Sequence, residues 1–245
     1  MTRPKRHAVI VTAASIALAS AWNVPPPLTS VQAYAAASPA PAATPVLVPD
    51  KGRFRILVNG QQMGKEEFEI NPDAGNWFAR GSSEIQTSEG TTRVSGTLAL
   101  RSDGSPMHYQ WATEGKKKAS ATIDFSSLTA TIELHLQDAK PYTQQFTFNT
   151  SPIAVLDNNL YHQYAILACL YDRQKKGPQT FSVLVPQELT PGTITVDSVG
   201  IEDVAGKKLE ELTAKTADLE VDLYLDSGRL VRLAAPSTNA EIVRE

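Results

Sequence analysis

The side chains that could support acid–base or metal chemistry are few and scattered. Beyond residue 35, the histidines are His108, His135 and His162. His135 lies two residues from Glu133 on the polar face of a predicted strand, where both could approach one metal ion, but exposed strand residues often show this spacing by chance. His162 lies off the apolar stripe of a predicted helix, so we expect a solvated side chain. Neither pattern predicts a metal site.

The densest group of carboxylates is formed by Glu66, Glu67 and Glu69. Glu67 and Glu69 share one face of a predicted strand beside Lys65, which is typical of a solvated surface. Glu66 falls on the same parity as Phe68 and is expected to point inward. A single inward carboxylate without a visible partner does not predict general acid–base catalysis.

The sequence carries no recognisable catalytic motif. It contains no G-x-S-x-G, no H-E-x-x-H, no paired C-x-x-C and no Gly-rich phosphate loop. We therefore expect a protein without enzymatic activity, with no catalytic residue, no metal ligand and no cofactor. An exported hydrolase that uses Glu66 or His162 is the third hypothesis for its function.

The amino terminus is typical of an export signal. Basic residues at positions 3, 5 and 6 precede the apolar run 8–21, which ends before three prolines and is too short to span a bilayer comfortably. Small-residue cleavage patterns end at Ala21 and at Ala35. We interpret residues 1–35 as a signal peptide and residues 36–50 as an Ala/Pro-rich linker. The remaining residues, 51–245, are expected to form a single β-rich domain.

Charge and cysteine content restrict the compartment and the partners. Without residues 1–35 the chain has 20 basic and 26 acidic residues, a net charge of −6, which argues against nucleic-acid binding. Cys169 is the only cysteine, so no intramolecular disulfide forms, and it lies too far from the signal to carry a lipid. These features predict a soluble periplasmic or extracellular protein that is not a lipoprotein and has no transmembrane span in its mature chain.

Alternating apolar residues predict about eight strands before one helix and several strands after it. Leu128 to Leu136 alternates most regularly, and turns such as Asn59-Gly60 and Asp103-Gly104 join the strands. Short turns favour antiparallel pairing. The predicted fold is mainly β (α+β): one large curved antiparallel sheet or half-barrel wrapped around a single main helix.

The helix is predicted over residues 157–176. Asp157 is the expected N-cap, and Gly177 follows cationic residues that suit a helix C-terminus. Its apolar stripe consists of Leu160, Tyr164, Leu167 and Tyr171.

Apolar residues on the inward parity of the strands are expected to meet this helix. If the sheet opens more widely than the helix fills, they would line an apolar ligand site. The candidate residues are Phe54, Phe68, Leu98, Tyr109, Trp111, Leu134, Tyr164 and Leu167.

The order of these features resembles the lipoprotein-carrier (LolA/LolB-like) half-barrel superfamily and its envelope relatives. The resemblance lies in residues 54–60 followed by Gly64, the helix around 156–171, the strand 181–186 and the hairpin 223–232. It implies a non-enzymatic periplasmic module whose concave sheet holds acyl chains or another apolar group beneath a helical lid. The sequence differs from the carriers because it has one strong helix instead of several.

Two main hypotheses remain. In the first, the module binds a lipid or another apolar small molecule on the concave face of the sheet. In the second, it is a structural or protein-interaction module of the cell envelope whose interior is filled by its own side chains. A strand edge such as residues 53–59 would then receive an envelope protein partner. The volume left between helix and sheet distinguishes the two.

Overall fold

The computed structural model describes residues 46–245, in which one open 15-stranded sheet accompanies a single α-helix. Residues 1–45, which include the predicted signal peptide and most of the predicted linker, lie outside the described residues. The helix α1 spans His162–Leu170, and two short 3-10 turns span Pro186–Glu188 and Pro236–Thr238. The strands are β1 (Asp50–Val58), β2 (Gln61–Asp73), β3 (Asn76–Thr87), β4 (Gly90–Leu100), β5 (Pro106–Glu114), β6 (Ala119–Ser126), β7 (Thr129–Leu136), β8 (Tyr142–Thr147), β9 (Ile153–Val155), β10 (Gln179–Val185), β11 (Thr190–Val204), β12 (Lys207–Lys215), β13 (Glu220–Asp226), β14 (Arg229–Ala235) and β15 (Ala240–Arg244).

The sheet is built from two arms that meet at its centre. The first arm, β1–β8, and the second arm, β9–β15, are joined by antiparallel pairing of β1 with β15, in which Ile56 lies opposite Ile242. Neighbouring strands are antiparallel throughout, except for the parallel pair β9 and β10. The edges of the sheet are therefore β8 and β9. The expectation that residues 53–59 form a free edge is wrong, because β1 is paired on both sides.

An ion pair reinforces the junction between the arms. The Arg244 guanidinium donates to both carboxylate oxygens of Asp50 at 2.7 and 2.9 Å. Its carbon atom Cζ lies 5.4 Å from the centre of the Phe68 ring, within the range of cation–π attraction. Both charged residues are largely buried, so the guanidinium fork is held in one orientation.

The strands form where the sequence alternates. In β7, Ala130, Ile132 and Leu134 are buried, while the intervening side chains point outward. The turn at Asn59-Gly60 has positive φ angles of 52° and 75°, as a tight hairpin turn requires. The prediction of a mainly β fold with a large curved sheet and one helix is confirmed.

The helix is shorter than predicted. It begins at His162 instead of residue 157 and ends at Leu170, because Tyr171 is already extended with φ −66° and ψ 116°. Tyr161 occupies the N-cap position, and its side chain makes no capping hydrogen bond. Asp157 is not the N-cap, because its carboxylate bonds to Tyr109 and Gln187 instead of to the first turn of the helix. The buried residues of the helix include four consecutive positions, 165–168, besides His162 and Gln163, so α1 is enclosed on more than one side.

Candidate functional site

Glu66 on β2 holds the start of α1. Its carboxylate accepts the backbone N–H of Tyr161 at 2.8 Å and that of His162 at 3.4 Å. Its Oε1 atom also lies 2.5 Å from Nδ1 of the His162 ring. The first N–H groups of a helix lack partners inside it and favour negative charge. Glu66 therefore caps α1 from the sheet, a role that the sequence had suggested for Asp157.

Asp157 belongs to a second buried cluster beside Glu66. Its Oδ2 atom accepts the Tyr109 hydroxyl at 2.9 Å, and Oδ1 accepts the backbone N–H of Gln187 at 3.1 Å. The Gln163 amide donates to the Tyr109 oxygen at 3.2 Å and accepts the Asp157 N–H through Oε1. Burial raises the pKa of Asp157 to about 6, and burial together with this carboxylate raises the pKa of Tyr109.

We call Glu66, Tyr109, Asp157, His162 and Gln163 the polar anchor. Two glycines on the inner face of the sheet make room for it. Gly81 and Gly96 lie opposite each other on β3 and β4. A Cβ atom at Gly81 would lie 2.5 Å from ring atoms of His162, and one at Gly96 would lie 2.6 Å from the Tyr109 hydroxyl.

The polar anchor is closed to solvent. Glu66 and His162 are 0% and 1% exposed, and the His162 ring stacks on Phe68 with ring centres 5.9 Å apart. The expectation of a solvated His162 is wrong, because Glu66 bonds to the ring and the missing side chain of Gly81 leaves space for it inside the fold. The anchor satisfies buried polar groups and fixes the position of α1.

The structure brings the eight predicted apolar site residues to one side of the sheet. All are buried except Tyr164, which is half-buried on α1. The Phe54 and Phe68 rings stack with their centres 4.8 Å apart. Tyr109 is also part of the polar anchor. Leu98, Trp111, Leu134 and Leu167 belong to the same hydrophobic core.

The space beside these residues differs from that on the outer face. A depression next to α1, lined by Ile70, Ala165 and Cys169 among others, has a volume of about 10 Å³, enough for one water molecule. Depressions of about 410 and 400 Å³ lie on the outer face and share Ser95 and Thr97. Both outer depressions are open to solvent and lined mainly by outward-facing polar side chains, so neither is a cavity between the helix and the sheet.

The remaining histidine pairs are superficial. His135 Nε2 lies 2.9 Å from Glu133 Oε1, and His108 Nδ1 lies 2.7 Å from Asp124 Oδ1. His135, Glu133 and Asp124 are well exposed. Within residues 46–245, no three His, Cys, Asp or Glu side chains are grouped so as to hold a metal ion.

Sequence reasoning missed the partners in the polar anchor. The inward parity of Glu66 was visible, but His162 lies 96 positions away and Tyr109 lies 48 positions before Asp157. The signal that could have found them is the glycine at position 81, on the inward parity of a strand that otherwise carries side chains there.

Comparison with known proteins gives little support for any relationship. No family model matches the sequence, and no curated protein is similar to it. A crystal structure of a DUF1089 family protein from Pseudomonas aeruginosa superposes with a TM-score of 0.48 and 7% sequence identity, over 71% of this chain and 90% of that one. This likeness is too distant to carry an argument.

The helix in residues 46–245 is too short to cross a membrane.

Proposed function

We propose that this chain is a non-enzymatic structural or protein-interaction module of the cell envelope. Its sheet acts as a half-barrel wrapped around α1, and its own side chains fill the interior. The observation that carries the proposal is the volume of about 10 Å³ beside the helix. Pockets that bind drug-sized ligands usually enclose about 300–1,000 Å³.

The burial of α1 supports the same function. Leu167 and Ala168 are fully buried, and Ala165 and Ile166 nearly so. Removing this helix from the sheet would expose those side chains and break the bonds that Glu66 makes to it. Each large apolar side chain contributes roughly 1.5–3 kcal/mol when it is buried. A partner is therefore expected to bind the outside of the domain.

The test combines partner recovery with a core variant. Trp111→Ala is expected to lower the free energy of unfolding by about 3–5 kcal/mol, because the cavity that it leaves lies in the packed core. The amount of envelope protein recovered with the folded variant should equal that of the wild type. Gln110→Ala, an exposed neighbour on the outer face, is the control for stability. Failure to recover any partner from envelope extract would contradict the proposal.

Binding of a lipid-like ligand is the second candidate, and one group of side chains favours it. Trp111, Ala121, Leu134 and Tyr142 form a row across β5 to β8 on the inner face. The indole Nε1 of Trp111 is buried without a hydrogen-bond partner in the described part of the chain, and Tyr142 is exposed at the end of the row. An apolar ligand with a polar group could satisfy this donor if α1 moved outward.

Native mass spectrometry of protein purified from its own host distinguishes the two functions. Co-purified lipid, or uptake of a fluorescent fatty acid that Leu134→Glu abolishes, would favour the ligand-binding function. Recovery of a protein partner without bound lipid would favour the packed module. Solvent extraction of the purified protein provides an independent measurement of bound lipid.

A further inference from the structure

The two edges of the sheet are protected to different degrees. The edge strand β9 has three residues, all buried, so little of its backbone is available to another strand. The edge strand β8, Tyr142–Thr147, has six residues without charge, proline or glycine. Its register with β7 is free of bulges. It therefore lacks the devices that usually prevent edge pairing.

The hydrogen-bonding pattern between β8 and β7 shows which backbone groups of β8 point away from β7. The Phe148 N–H donates to the Leu128 carbonyl at 2.8 Å, directly after the regular pairing of β8 with β7. In an antiparallel pair, alternate residues direct both backbone groups toward the partner strand. Thr143, Gln145 and Thr147 therefore direct their N–H and C=O groups away from β7, and all three side chains are exposed.

We propose that β8 pairs with β8 of a second copy of this chain, antiparallel and centred on Gln145. This inference goes beyond the proposed function, because it concerns the edge of the sheet and does not depend on whether the interior holds a ligand. The pairing places Gln145 opposite Gln145 of the second copy and Thr143 opposite Thr147. All three outward residues then bond, giving about six hydrogen bonds between the copies.

The side chains of β8 suit a second copy. A two-fold axis perpendicular to the sheet places the inner faces of both copies on the same side of the joined sheet. Tyr142 then lies opposite Phe148 of the other copy, a favourable aromatic cross-strand pair. Tyr142 is 49% exposed, so it has surface to bury. β8 itself contains no charged residue, so no like charges face each other within the paired strands.

The test measures the mass in solution of protein purified from its own host. Light scattering and sedimentation should show a dimer whose dissociation constant rises by about tenfold or more in Gln145→Lys, because two ammonium groups meet at the axis. Gln110→Lys is the matched control, since Gln110 is an exposed glutamine on the outer face of β5, which is paired on both sides. It should dimerise like the wild type.

A charge exchange tests the register itself. Gln145→Lys mixed with Gln145→Glu should restore a dimer that contains one of each, because opposite charges then meet across the axis. A wild-type monomer at about 100 μM would overturn the proposal. A dimer unaffected by Gln145→Lys, or the absence of rescue in the mixture, would also overturn it. Lipid or partner measurements do not alter these outcomes, so the failure of this proposal is separate from failure of the proposed function.

Discussion

The two arms of the sheet cover the same core with different side chains. The first arm buries aromatic residues on its inner face: Phe54, Phe68, Trp77, Tyr109, Trp111, Phe125 and Phe146. The described strands of the second arm bury mainly aliphatic residues, with Phe181 as their buried aromatic: Ile194, Val196, Leu209, Leu212, Val221, Leu223, Leu225, Leu230, Leu233 and Ile242. The buried carboxylate beneath α1, Glu66, also belongs to the first arm.

This difference separates two tasks in one fold. Aliphatic burial is non-directional and stabilises the fold in proportion to the area removed from water. The polar anchor, by contrast, allows only one position of the helix. If α1 were displaced, the buried carboxylate of Glu66 and the His162 ring would lose their hydrogen-bond partners. We infer that the second arm contributes mainly burial, whereas the first arm determines where α1 lies.

The largest effect is expected from the first arm. Glu66→Ala removes the cap of α1 and leaves the buried His162 ring without its partner. We expect the free energy of unfolding, measured by urea denaturation, to fall by about 3–5 kcal/mol. The control is Glu67→Ala on the same strand, whose exposed pair with Arg53 contributes at most about 1 kcal/mol. Equal effects of the two variants would contradict the role of Glu66.

The second arm should respond to volume and tolerate changes in shape. Leu223→Ala is expected to lower the free energy of unfolding by about 2–5 kcal/mol, since Leu223 is fully buried. Leu223→Met retains most of the volume and should cost less than about 1.5 kcal/mol. Urea denaturation measures both variants. If the methionine variant were as unstable as the alanine variant, the core of the second arm would depend on side-chain shape and not only on volume.

Asp157 should give the protein a pH-dependent stability. Its folded pKa of about 6 lies above its ordinary value near 3.8, so the folded state binds the proton more tightly. The free energy of unfolding should therefore fall as the pH rises from about 4 to about 6, by about 3 kcal/mol for this group. Asp157→Asn should reduce that slope in denaturation curves recorded across this range. An unchanged slope in the variant would assign the effect to other groups.

The smallest loss of stability is expected from filling the space beside Gly81. Gly81→Ala places a methyl group 2.5 Å from the His162 ring and 2.9 Å from Glu66 Oε1, so the anchor must shift. We expect a loss of about 1–3 kcal/mol in thermal or urea unfolding. Gly192→Ala in the second arm is the matched control, because its methyl group would meet Val183 at 3.6 Å, an ordinary contact. A neutral Gly81→Ala would show that the helix has freedom to move.

Local patterns in the sequence predicted the strands and turns well. Alternation in β7 and the Asn59-Gly60 turn depend on neighbouring residues, so periodicity and turn chemistry were sufficient. The ends of α1 were predicted less well, because Asp157 bonds to Tyr109 and Gln187 instead of to its own helix. The central position of β1 follows from its pairing with β15, nearly two hundred residues later in the chain.

The same dependence on sequence separation applies to the site residues. The burial of the apolar candidates could be predicted because inward parity is a local property, whereas their binding of a ligand stays a prediction. The partnership of Glu66 with His162 is not local, and each residue alone looked like a surface group or an isolated charge. The volume beside the helix depends on the packing of both arms, which the sequence could not supply.

The pairing of β1 with β15 has a consequence for the order of folding. During synthesis the hairpins of the first arm emerge early and can pair locally, but the junction between the arms must wait for residues 240–244. Until then, one side of β1 and the carboxylate of Asp50 lack the partners that β15 and Arg244 provide. The last step in forming a continuous sheet therefore brings together segments from opposite ends of the domain. We expect this closure to be slow and, until it occurs, the backbone N–H and C=O groups on that side of β1 to be open to premature pairing.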